Sequence, residues 1–164
     1  MSRLSEALAQ IDFVRRYNLE RIETIPLAEW FTIPPGGVSH IAWQVGHITM
    51  GHYRLCLERL RPRGVEDESL VPDSFLKMFG RESQPADIVG ITAEELRDLF
   101  NRVHARVMME LPSYPDADLD LPALRPHPLF TTRIESLRYA PFHEALHCGQ
   151  IAIIRRMLGQ KPIW

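Results

Sequence analysis

His143 and His147 stand four residues apart, on either side of Glu144-Ala145-Leu146. On a helix that spacing puts two imidazoles on one face, the commonest way for a single helix to offer two nitrogens to one metal ion. The same letters spell the H-E-x-x-H pattern of zinc peptidases, whose glutamate acts as general base. That chemistry takes its third ligand from downstream, and the 17 residues after His147 contain no Glu, Asp or His. Glu144 also falls about 100° round the helix from His143, on a polar flank where Arg155 or solvent accounts for it. The peptidase reading is set aside on these grounds.

With His143 at zero on the wheel, His147 lies at about 40°, Gln150 at about −20° and Ile154 at about 20°. Leu146, Met157 and Leu158 fall close by, so both histidines are expected mid-way across an apolar, core-facing stripe. Two buried imidazoles need two sets of hydrogen-bond partners or one cation shared between them. Cys148, about 140° from His143, points elsewhere and reads as structural.

A catalytic metal is held by three protein ligands, with a further position left for water or substrate. His47 is the best third candidate, flanked by Trp43, Met50 and Leu57, with Gly46 and Gly51 permitting close helix contact. His40 reads as lying at the mouth of the site or solvated near a helix start, and His52 as pointing outward. His104 has no visible partner, while His127 sits among prolines, either over the site or on the surface. Gln44 and Gln150 are each one helical turn from a histidine, and support of the ligands and plain polar packing are equal readings. Arg54 suits a substrate carboxylate or a pairing with Glu58.

The elements that must position these residues are helices. Apolar residues recur at helical spacing from about Arg3 to Ile25. Pro34-Pro35-Gly36-Gly37 breaks the chain before a second helix, capped by Ser39 and running to about Arg61. One short helical turn is expected around Pro72–Phe79. Thr92 with Glu95 and Thr132 with Glu135 are capping boxes that open a third and a fourth helix. The third ends near Leu111; the fourth ends at Leu158 with Gly159 after it, and Pro141 inside it should kink it. No useful alternation of period two appears. The expected fold is all-α, a four-helix bundle with long connections after helices 2 and 3, and residues 1–164 read as one domain.

A formal charge of −2 gives no electrostatic case for nucleic acid or an anionic membrane surface. No apolar run approaches the roughly 20 residues that span a bilayer. No export signal is visible at the N-terminus, and Cys56 and Cys148 form no disulfide framework, so a cytoplasmic location is expected. Ile163 and Trp164 form an apolar pair suited to folding back or to a homodimer interface.

With these pieces placed, the chain resembles the DinB-like family of four-helix metal-binding proteins. The likeness rests on Trp43-Gln44-Val45-Gly46-His47-Ile48 and on His143 to Ile151, followed by Arg155-Arg156-Met157-Leu158-Gly159. The segments Leu76–Pro85 and His127-Pro128-Leu129-Phe130 are similar to that family's connecting loops. The resemblance implies a divalent metal on His47, His143 and His147: zinc first, nickel or iron next. It also implies a small-molecule substrate and transfer chemistry with a low-molecular-weight thiol, as in thiol S-transferases and a mycothiol-dependent maleylpyruvate isomerase. A metal-dependent hydrolase and a non-catalytic metal-binding bundle are the alternatives. In the related sulfoxide synthases a Glu two residues after the last His is typical; Gly149 stands there in this chain.

Overall fold

The four long helices begin where a side chain can satisfy amides that have no partner in the first turn. In the computed structural model, which describes residues 2–163, Ser2 Oγ accepts from Ser5 N at 3.1 Å to open α1 (Arg3–Ile22). Both capping boxes form. Thr92 N donates to Glu95 Oε2 at 2.7 Å to start α5 (Ala93–Glu110), and Thr132 N donates to Glu135 Oε2 at 2.9 Å to start α6 (Arg133–Met157). Gly159, with φ at 82°, follows the end of α6 in the left-handed region that suits glycine. α6 runs through Pro141 as one helix.

α2 (Ile41–Tyr53) differs from expectation at both ends. Its cap is His40, whose Nδ1 accepts from Trp43 N at 3.0 Å while Nε2–H donates to Pro85 O at 2.8 Å. Ser39 is left to accept from the Gln44 amide. Past Tyr53 the helix widens into a π-helical turn, Arg54–Glu58, closed by Arg59 N donating to Arg54 O. The connection that follows carries α3 (Val65–Leu70) and α4 (Asp73–Met78). The proline-rich connection after α5 also holds a short antiparallel pair, β1 (Pro122–His127) and β2 (Phe130–Thr132). No strand was expected there, because Pro122 and Pro126 lack ladder donors and obscure any alternation. The fold is therefore predominantly helical with one small hairpin.

α1 packs on α6, α6 on α2, and α2 on α5. Between them lie Ile11, Val45, Ile48, Leu57, Leu96, Phe100, Leu137 and Ile151, each 1% exposed or less. Full burial of each such side chain contributes about 1.5–3 kcal/mol before entropy is subtracted. α6 faces this core differently from the wheel. Its buried side runs through Leu137, Glu144, Cys148, Ile151 and Arg155, whereas Leu146 and Met157 are exposed and both histidines lie on the flank, half-buried. The wheel equated charge with solvent; here both charges are internal, Glu144 paired with Arg15 and Arg155 donating to Thr24 Oγ1. Among the described residues, no helix is long and apolar enough to cross a membrane.

Candidate metal centre

α2 contributes His47 and α6 contributes His143 and His147, one from each of two successive turns. Each ring offers one nitrogen such that the three atoms lie within 4.8 Å of one another. The ring centroids are 5.3 Å apart for His47–His143 and 4.7 Å for each pair involving His147.

Two of the rings are oriented from behind. His47 Nδ1 is 2.8 Å from the carbonyl oxygen of Phe79, and His147 Nδ1 is 2.7 Å from Gln44 Oε1. Because both partners are acceptors, each Nδ1 carries the proton and each Nε2 keeps its lone pair. The Gln44 amide is itself fixed by Nε2–H donating to Ser39 Oγ at 2.9 Å, which presents its oxygen to His147. Trp43 stacks on His47 at 4.7 Å and 15°, and its indole N–H donates to Ser83 Oγ.

Close approach explains both glycines of α2. A Cβ on Gly51 would stand 2.5 Å from His143 Cε1, and one on Gly46 would stand 2.2 Å from the Phe79 ring. Gly51 thus makes room for a ring of the cluster. Gly46 seats Phe79, whose carbonyl holds His47.

Burial, and then mutual repulsion, pushes His143 down to about 4 and His147 down to about 3. Burial lowers His47 as well, and the nearby Arg54 adds to it. All three are neutral at pH 7, the form that binds metal. The donor set fits a divalent transition ion: borderline nitrogen ligands, oriented tautomers and a side left open.

That side is a cleft of about 490 Å³ beside His47 and His143, lined also by Arg54, Arg59, Arg81 and His127. A hollow of similar size between α3 and α5, about 510 Å³, brings together no histidines. Arg54 both reaches the cleft and lies 3.7 Å from Glu58. Gln44 supports His147 rather than His47, and Gln150 is exposed on α6, where it favours the charged form of His147. Sequence reasoning missed the Phe79 carbonyl, since side-chain types carry no signal for a main-chain acceptor. It missed Arg59 and Arg81 because nothing in their spacing relates them to the histidines.

Glu144 is absent from the cluster. It is buried, and its partner is Arg15 rather than Arg155: Arg15 Nε and Nη2 donate to its two oxygens at 2.8 and 3.0 Å, and Asn18 adds a bond at 3.2 Å. His52, expected outward, is 3% exposed. Its Nε2 is 3.4 Å from His104 Nδ1, and His104 Nε2 donates to Asp12 at 3.3 Å. Burial raises both thiols, Cys148 to about 11 and Cys56 further, so neither is a nucleophile at neutral pH. Ile163 is half-buried; Trp164 lies outside the described residues.

Comparison with known proteins agrees with this architecture. The sequence profile of the DinB superfamily matches residues 10–151. A solved structure of a conserved protein from Enterococcus faecalis superposes with a TM-score of 0.69 at 16% identity, over 98% of this chain and 99% of that one. At that identity it speaks to the fold alone. No functionally curated protein matches.

Proposed function

We propose, from the premise that this chain belongs to the DinB superfamily, that it is a metal-dependent transferase acting with a low-molecular-weight thiol. His47, His143 and His147 hold a divalent transition metal, zinc by preference. The observation that carries this reading is the convergence of three neutral imidazoles, two with their tautomer fixed from behind, beside an open cleft.

A bound cation there supplies Lewis acidity, lowering the pKa of a thiol that reaches its open position. The protein's own residues do the rest. Phe79 and Gln44 keep two rings in the ligating tautomer, Trp43 covers His47, and the cleft side chains position the electrophile. The supporting frame is a four-helix bundle of α1, α2 with its π-helical turn, α5 and α6, forming one domain over the whole chain. A cytoplasmic location and a homodimer complete the reading. The dimer is supported by an exposed apolar stripe, Phe142, Leu146, Ile153 and Met157 on α6 with Phe13 on α1.

The test is turnover of monochlorobimane with bacillithiol, mycothiol or glutathione. In that reaction a sulfur–carbon bond forms, chloride leaves and the thiol proton passes to solvent. Zinc-loaded protein is expected to accelerate it with at least one thiol, and His143→Ala to abolish the gain. Equal turnover by the His143→Ala variant would overturn the reading.

A further inference from the structure

The cleft beside the three imidazoles is lined by an excess of positive charge. Arg54, Arg59 and Arg81 line it, and no Asp or Glu does, in a chain whose net charge is −2. Three guanidiniums around one concave surface focus a positive potential that draws in anions.

Arg59 is the informative one. It is half-buried, and among the described residues its guanidinium makes no hydrogen bond or ion pair. Its Nε is closed off from solvent with no partner. Burial lowers its pKa, and the Glu58 carboxylate nearby offsets that only in part. The adjacent carboxylate, Glu58, is directed elsewhere, to Arg54 at 3.7 Å and Arg125 at 3.3 Å. An orphaned buried donor is rare and costs about 1–3 kcal/mol, more when charged. Arg81 lines the same cleft, is exposed, and is likewise without a hydrogen bond or ion pair among the described residues.

The backbone contributes to the arrangement. Residues five apart on an α-helix diverge by about 140°. The π-helical turn closes from Arg54 O to Arg59 N and so brings residues five apart to the same side. Arg54 and Arg59 both reach the cleft because the helix widens there.

We propose that this cleft contains an oxyanion subsite. Arg59, assisted by Arg54 and Arg81, takes a carboxylate or phosphate of the small-molecule substrate by charge-assisted, forked hydrogen bonds and points its other end at the histidines. The last clause rests on the proposed metal function; the subsite does not.

The experiment is calorimetric titration of the full-length, tag-free chain, metal-free and zinc-loaded. The probes are succinate, its uncharged analogue succinamide, and inorganic phosphate. Succinate or phosphate is expected to bind the metal-free protein, with succinamide at least about tenfold weaker, a difference near 1.4 kcal/mol. Arg59→Gln is expected to weaken oxyanion binding by about tenfold or more, and Arg81→Gln, at an exposed site that leaves folding untouched, by less. Arg97→Gln, exposed on α5 outside the cleft, should change nothing. Succinate and succinamide binding alike, or oxyanion binding unchanged in Arg59→Gln, would overturn the subsite. Oxyanion binding that requires zinc and ignores Arg59 would also overturn it while leaving the metal reading intact. Arg59-dependent binding in a protein that takes up no zinc would uphold the subsite and sink the metal reading instead.

Discussion

The carboxylate of Glu144 accepts from Arg15 and Asn18 on α1, and the same Arg15 donates to Phe100 O on α5 at 2.8 Å. The residue that looked like a general base is thus the centre of a buried ion pair joining three helices. Removing one partner of such a pair strands the other charge, at about 3–5 kcal/mol. Glu144→Ala should therefore lower the unfolding free energy by about that amount in urea titrations while leaving zinc stoichiometry unchanged. Lost metal at unchanged stability would return Glu144 to the site. The histidines set a second residue-level expectation. Their folded pKa values lie below the unfolded value of about 6.5, with His143 near 4 and His147 near 3. Unfolded chains then bind more protons, so their contribution to stability is full above about pH 6.5 and is lost as pH falls toward those values. Depressed carboxylates such as Asp67 and Glu110 lose theirs only below about 4.5. Metal-free protein should show a falling Tm already between pH 6.5 and 5; a flat Tm across that window would contradict neutral buried imidazoles.

Among the elements, the starts of α5 and α6 were legible because capping boxes are local chemistry: Thr92–Glu95 and Thr132–Glu135 need only their own neighbours. The buried face of α6 was not. A wheel drawn from residue types placed Leu146 inside and Glu144 outside, since it cannot see an Arg15 on another helix. His143 and His147 still share a face because i, i+4 spacing fixes that whichever way the helix is turned, and His47 lies beside them. The π-helical turn left no sign in the sequence, and with it went Arg59. α2 and α4 are coupled through Gly46, which admits Phe79 and thereby the carbonyl behind His47. Gly46→Ala should displace that ring, cost about 1–3 kcal/mol by overpacking and weaken zinc binding at the same time. Calorimetric zinc titration together with urea unfolding checks both; wild-type values in the two measurements would dismiss the coupling.

For the whole molecule, the exposed apolar stripe along α6 and α1 is the counterpart of the misread wheel. The residues assigned to the core, Leu146 and Met157, are the ones left without cover. In the proposed dimer this stripe is the surface that the partner covers. Light scattering should give a dimer for the intact protein and a monomer for Phe142→Glu with Leu146→Glu, whereas equal masses would remove the stripe as the interface. The proposed function requires that His47, His143 and His147, which lie together, hold a metal ion. Elemental analysis of tag-free protein, purified without chelator and reconstituted with zinc, tests it most directly. About one equivalent per chain is expected, falling below about 0.3 in each of His47→Ala, His143→Ala and His147→Ala, because two ligands hold zinc poorly. Wild-type protein below about 0.3 equivalents after reconstitution, or three variants that load as well as wild type, would contradict it.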